Sequence, residues 1–136
     1  MSLVLPNLYI GGEENAKDFE WLKYRGITHI VNCARELKPH FPNEFEYINL
    51  ASEDVHTYNL NDAFFRSHKF INQSLEAGGT VLVHCSQGIS RSSSIVCYYM
   101  MHELEMSAKE ALYFLKESHP IARPNQGFFS QLYCPF

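Results

Sequence analysis

The chain is short of basic residues and short of charge altogether. Lys and Arg number 11 against 15 Asp and Glu, and charged residues make up 19% of 136. A net charge of −4 at pH 7 disfavours nonspecific binding to nucleic acid or to an anionic membrane surface. No apolar run approaches the roughly 18 residues of a membrane span. No basic segment followed by an apolar core opens the chain, so neither a membrane anchor nor a signal peptide is expected. Cysteine is also sparse. Cys33, Cys85, Cys97 and Cys134 have neither metal-type spacing nor the density of a disulfide framework. The expectation is an intracellular setting, cytoplasmic or nuclear, with no metal. Repeats, linkers and low-complexity tracts are missing. What is present, 46% hydrophobic residues in 136, fits one soluble globular domain over 1–136, with a monomer favoured.

The informative stretch is Val81–Met101, VLVHCSQGISRSSSIVCYYMM. A short apolar run, Val81–Val83, ends at His84 and Cys85. A compact loop, Ser86-Gln87-Gly88-Ile89-Ser90, leads to Arg91 and Ser92, and a long apolar run of helical character follows. A loop entering a helix N-terminus presents several N–H groups to one point, and the helix dipole adds positive potential there. Small residues and Gly88 let the backbone curl into an anion-binding nest. Arg91 can grip two oxygens of a phosphate. The same field favours a thiolate, so Cys85 is expected to have a lowered pKa and to be nucleophilic. A thiolate inside a phosphate cradle implies attack on phosphorus through a cysteinyl-phosphate intermediate. A free Cys elsewhere is ordinarily an inert buried thiol. His84 is expected to orient the loop and help set the thiolate pKa.

The rest of the chain alternates strand and helix signals. Leu8–Ile10 reads as a strand ended by Gly11-Gly12. One helix is expected from an Asn15 cap to Gly26, with Asp18 in a capping-box arrangement. Ile27–Ala34 and Phe45–Leu50 read as strands, with a Pro-containing loop between them. Residues 51–59 read as a loop and Asn61–Ala77 as a helix. Val81–Val83 is the central strand, followed by a buried helix from near Ser92. Ser107 and Glu110 form a capping box for a helix that stops before Pro120. Gln126–Tyr133 reads as a last short helix. The pattern predicts an α/β fold: a small, mostly parallel sheet of about five strands flanked by helices. Ligands in such sheets sit at the carboxyl ends of strands, where Cys85 lies.

His84-Cys85, five residues, then Arg91-Ser92 resembles the motif of the cysteine-dependent protein phosphatases. The wording HCSQGISRSSS is similar to the dual-specificity branch, in particular the catalytic domains of MAP kinase phosphatases. The chemistry needs an acid to protonate the leaving oxygen and later a base to activate water, and one carboxyl group can serve both steps. Glu53 and Asp54 are the loop candidates; the resemblance favours Asp54, whose spacing to Cys85 is similar to the family's. Ser92 is a natural helix cap, and the resemblance adds that its hydroxyl helps the thiolate leave. Asn125, in ARPNQGFFSQL, resembles a family segment in which Asn braces the phosphate loop. The loop lacks the Lys residues of lipid-type relatives, and the pocket-deepening segment of the tyrosine-specific branch is missing. The resemblance therefore implies hydrolysis of phosphotyrosine and phosphoserine or phosphothreonine on a phosphoprotein, a MAP kinase among the candidates, without a cofactor. Two other classes compete: a catalytically weak phosphopeptide-binding module, and a rhodanese-like sulfurtransferase. The latter typically has four residues after its Cys where this chain has five before Arg91.

Cys33 closes one predicted parallel strand and Cys85 another, at the same edge. If those strands are neighbours, the thiols approach disulfide range, which needs Cα atoms roughly 4.4–6.8 Å apart. Cys33 is then a redox partner for Cys85.

Overall fold

The computed structural model describes residues 1–133, so Cys134 lies outside the described residues. In chain order the elements are β1 (Ser2–Leu5), β2 (Leu8–Gly11), α1 (Glu13–Ala16), α2 (Phe19–Tyr24), β3 (His29–Ala34), β4 (Glu46–Ser52), α3 (Asn61–Glu76), β5 (Val81–His84), α4 (Arg91–Glu103), α5 (Ala108–Ser118) and α6 (Gln126–Tyr133). The sheet order is β1-β2-β5-β3-β4. β2, β5, β3 and β4 run parallel, and β1 pairs antiparallel with β2. The expected α/β architecture is what is found, with one antiparallel edge strand added.

Alternation along the strands explains the two layers. Val81 and Val83 belong to the larger core, and Leu82 between them belongs to the smaller one. The larger core also takes Phe64 and Ile71 from α3, Ala111 and Leu115 from α5, and Phe128 and Leu132 from α6. The smaller core takes Ala16 and Leu22 from the α1–α2 segment, with Ile27, Ile30 and Phe45. Residues Arg91–Met100 of α4 are all buried, which accounts for its near-continuous apolar and small-residue sequence. Phe64 stacks on Tyr98 with ring centroids 4.4 Å apart, fixing α3 against α4. Each fully buried Leu, Ile or Val in these layers contributes about 1.5–3 kcal/mol relative to exposure.

Several expected boundaries shift, β3 starting at His29 rather than Ile27, and one strand is new. The single helix predicted from Asn15 to Gly26 is two short helices. Asn15 lies within α1, and its Oδ1 accepts from Gly12 N–H at 3.0 Å. Asp18 is the N-cap of α2 and accepts from Trp21 N–H at 3.1 Å. Short polar side chains compete for backbone donors, and here they start two helices instead of one. β4 runs two residues past Leu50, through Ala51 in the left-handed region (φ 52°), so the loop expected over 51–59 begins at Glu53. β1 is too short to display alternation in the sequence. It forms because Pro6 and Asn7 (φ 65°) turn the chain back onto β2.

All four parallel strands deliver functional positions to one edge. β2 ends at Gly11, β5 runs into Cys85, β3 into Arg35 and Glu36, and β4 into Glu53 and Asp54.

Candidate active site

Cys85 follows β5 directly and is 3% exposed. The loop Ser86–Ser90 then curls into α4. Gly88 sits at φ 73°, a conformation other residues adopt only under strain. A Cβ there would also lie 3.0 Å from the Gly11 carbonyl group, so the loop packs directly on the end of β2. The N–H groups of Ser86, Gln87, Gly88, Ile89 and Ser90 have no acceptor among the described residues. They are free for an anion. The cavity they bound, about 260 Å³, is lined by Glu36, Asp54, Cys85, Ser86, Gln87, Ile89, Ser90 and Arg91.

Ser92 is fully buried, with its Oγ 3.2 Å from Cys85 Sγ. The capping role expected for Ser92 is corrected: the N-cap is Ser90, and Ser92 sits inside the first turn. The Ser90 hydroxyl is itself engaged, accepting from Asn125 N–H at 2.9 Å. His84 is buried, its Nδ1 3.4 Å from the Cys85 carbonyl oxygen. Burial lowers its pKa to about 4, with His40 adding to the shift and the Cys85 contact opposing it. The ring is therefore neutral at pH 7 and gives Cys85 no cationic charge.

Arg91 is 6% exposed and largely spoken for. Its Nη1 donates to Glu36 Oε1 at 2.7 Å and to the Ser52 carbonyl at 3.0 Å. Its Nη2 donates to Glu36 Oε2 at 2.6 Å. Nε is buried with no hydrogen-bond partner. A guanidinium offers two forked edges; the carboxylate occupies the Nη1–Nη2 edge, while on the other edge Nη2 also donates to Ser86 Oγ at 3.4 Å and Nε alone is unpartnered. The Glu36 pKa is held down to about 2 by the Arg91 hydrogen bonds, with a further bond from the Ser86 hydroxyl at 2.5 Å. Glu36 stays ionised and clamps Arg91 across the physiological range.

Asp54 stands on the opposite wall. Asn125 Nδ2 donates to Asp54 Oδ1 at 3.0 Å, while Asn125 Oδ1 accepts from Phe128 N–H at 2.9 Å and caps α6. Asn125 thus meets the phosphate loop through its backbone and the Asp54 loop through its side chain. Gly127 lets α6 approach the same loop, because a Cβ there would overlap the His56 carbonyl. Glu53, the other acid candidate, pairs with Arg35 at 2.6 Å and lines an adjoining groove. Cys33 is buried on β3, one residue past the Asn32–His84 pair, with β3 and β5 direct neighbours. Its pKa is raised by burial and by the nearby Cys85. The described residues contain no cluster of three or more His, Cys, Asp or Glu able to hold a metal.

Glu36 was invisible in the sequence, lying in a loop without a motif. Asn32 shapes that loop: its Nδ2 donates to the Leu37 carbonyl at 2.7 Å, and its Oδ1 accepts from Ala34 N–H. Three further contacts, equally unmarked, hold the phosphate loop from outside. Glu13 N–H donates to Ser86 O at 3.0 Å, Arg123 N–H to Ile89 O at 2.8 Å, and His119 Nε2 to Gly88 O at 2.7 Å.

Residues 8–134 match the family described as dual specificity phosphatase, catalytic domain. The chain is 41% identical over 131 residues to Protein phosphatase Slingshot homolog 3 of Homo sapiens, an alignment covering 96% of this chain and 20% of that protein. It therefore spans about a fifth of that relative's length. Among solved structures it is similar to a human tyrosine phosphatase-like serine/threonine/tyrosine-interacting protein (TM-score 0.91, 35% identity, 97% of this chain and 92% of that one). It is equally similar to DUSP15 (TM-score 0.93, 34% identity, 98% and 85%).

Two outcomes follow from the electrostatics. Glu36→Gln replaces one of the two oxygens that accept from Arg91 by an amide donor, so the guanidinium should lose its fixed orientation and binding of an oxyanion such as vanadate should weaken about tenfold. Unchanged affinity by calorimetry would mean that Arg91 needs no clamp. Because the unfolded His84 protonates near pH 6.5 and the folded one only near 4, unfolded chains bind more protons in that window. Stability should fall by about 3 kcal/mol as pH drops through it, measured by urea unfolding. A flat profile would contradict the buried neutral ring.

Proposed function

Because the chain belongs to the dual specificity phosphatase catalytic-domain family, we propose that it hydrolyses phosphate monoesters on Tyr and Ser/Thr side chains of phosphoproteins through a cysteinyl-phosphate intermediate. The observation that carries the reading is one cavity lined by Cys85, Arg91 and Asp54 together. Cys85 Sγ attacks phosphorus in line with the leaving oxygen. Charge on the phosphoryl oxygens is met by the free N–H groups of the loop and by the Nε edge of Arg91. Asp54 gives its proton to the leaving oxygen, then, ionised, takes one from the water that attacks the intermediate. As the phosphorus–sulfur bond breaks, the Ser92 hydroxyl hydrogen-bonds the departing thiolate. The residues Ser86, Gln87, Gly88, Ile89 and Ser90 bind the phosphate through their backbone, while His84 and Asn125 support the two loops.

The family match and the relatives favour this reading over a phosphopeptide-binding module or a sulfurtransferase. The substrate we infer is a phosphoprotein, a MAP kinase among the candidates, acted on by a monomer without nucleic acid, membrane or cofactor. No helix among the described residues is long and apolar enough to cross a membrane. The groove beside the cavity, lined by Arg35, Glu53, Asp54 and Val55, is the natural place for residues flanking the phosphorylated one.

Cys85→Ser should abolish turnover of para-nitrophenyl phosphate and of phosphopeptides, yet still bind phosphate esters. Asp54→Asn should lower kcat by about 10²–10⁴ on phosphopeptides and less on the aryl ester, whose leaving group is already acidic. Activity surviving in Cys85→Ser would sink the mechanism.

We also propose redox control through Cys33. Peroxide oxidises the Cys85 thiolate to a sulfenic acid. The Cys33 thiol then attacks that sulfur, forming a disulfide and releasing water. Support comes from the neighbouring strand positions of the two thiols. With peroxide in excess, the wild type should show a Cys33–Cys85 crosslink on peptide maps and regain activity with dithiothreitol, whereas Cys85 in Cys33→Ser should pass on to the irreversible sulfinic acid. Equal recovery in both would remove Cys33 from the scheme.

A further inference from the structure

The three outside contacts on the phosphate loop have a common geometry. Each donor reaches a loop carbonyl, and none of the three donor residues lines the cavity. The captured carbonyls therefore face away from it. In a trans peptide the C=O and the following N–H point in opposite directions, and the described chain has no cis peptide. Outward carbonyls at Ser86, Gly88 and Ile89 thus turn the N–H groups of Gln87, Ile89 and Ser90 inward.

The middle peptide is the weak one. Gly88 has no Cβ, so the peptide after it can rotate at less cost than its neighbours. A rotated Gly88–Ile89 peptide would aim a carbonyl oxygen at a bound anion in place of an N–H. This is also the one peptide of the three held by a side chain. His119 is 7% exposed, and its Nε2 lies 2.7 Å from Gly88 O. A carbonyl oxygen only accepts, so Nε2 carries the proton. Nδ1 lies 2.8 Å from Ser2 Oγ, which donates to it in the neutral ring. The backbone of His119 is anchored as well: its N–H donates to Leu115 O at 2.9 Å and its carbonyl accepts from Ala122 N–H at 3.0 Å. The imidazole is a rigid strut from the end of α5 to the glycine of the loop.

We propose that His119 is a positioning residue of the phosphate cradle. By holding the Gly88 carbonyl outward, it keeps the Ile89 N–H aimed at the bound phosphoryl group. The inference rests on the phosphatase reading above.

The test compares wild type, His119→Ala and His119→Gln. The Gln amide nitrogen can take the place of Nε2 and donate to the same carbonyl. Thermal midpoints establish folding. Vanadate inhibition, KM and kcat on para-nitrophenyl phosphate, and the Ile89 amide resonance during vanadate titration supply the readout. In the wild type, vanadate should shift the Ile89 amide proton downfield. In His119→Ala that shift should shrink and vanadate inhibition should weaken about tenfold, the effect of one hydrogen bond. His119→Gln should recover most of both. Folded His119→Ala with wild-type vanadate inhibition overturns the proposal. So does equal loss in Ala and Gln variants in step with a falling midpoint, which would make the ring merely structural. Should the Ala variant fail to fold, a wild-type Ile89 amide unmoved by vanadate overturns it alone. Wild-type protein that binds vanadate with the Ile89 shift but turns over no phosphate ester would refute the phosphatase reading while supporting the cradle.

Discussion

A buried guanidinium has to be neutralised, and Arg91 meets that need with a single carboxylate. Removing a charge from water costs several kcal/mol unless it is paired and hydrogen-bonded. Glu36 supplies both terms on one edge of the fork, and Ser52 O adds a third bond. The pairing presupposes the sheet order. Glu36 reaches Arg91 because β3 lies beside β5, and Ser52 does because β4 lies beside β3. The hydrogen-bonding demand of one side chain is thus distributed over three consecutive parallel strands. What is left without a partner is Nε.

The sequence discloses the parts of this site that are contiguous. The run from His84 to Ser92 carries thiol, loop and guanidinium within one strand-loop-helix unit, and its local geometry follows from glycine, small residues and a helix start. The central place of Val81–Val83 and the burial of α4 are legible for a similar reason: continuous apolar runs mark elements covered on both sides. Glu36 is not legible. A carboxylate in a Pro-containing loop looks like surface until the neighbouring strand is known. His119 is hidden in the same way, since a histidine beside a proline at a helix end reads as a terminus. The signal that would have found either is a pairing across the sheet edge, which no local window contains.

Asn125 illustrates a mixed case. Its segment suggests support for the phosphate loop, and its backbone N–H does reach Ser90 Oγ. The side chain instead joins Asp54 to the start of α6. One residue therefore ties together the loop bearing Asp54, the loop that follows Cys85 and a helix. The N-terminal segment shows the opposite failure. Asn15 and Asp18 are both good capping residues, and periodicity alone cannot tell one helix capped at Asn15 from two helices, the first with Asn15 inside it and the second capped by Asp18.

The loop around Cys85 is fastened to both layers of the molecule. Glu13 belongs to the segment over the smaller core, whereas His119 and Arg123 follow α5 on the side of the larger one. Proteins commonly keep their functional loops in regions that open locally, at a fraction of the global free energy. This loop has no such independence. An excursion that peels away α1 releases the Ser86 carbonyl, and one that detaches the end of α5 releases Gly88. Loss of the anion cradle is thereby coupled to subglobal opening on either face of the sheet.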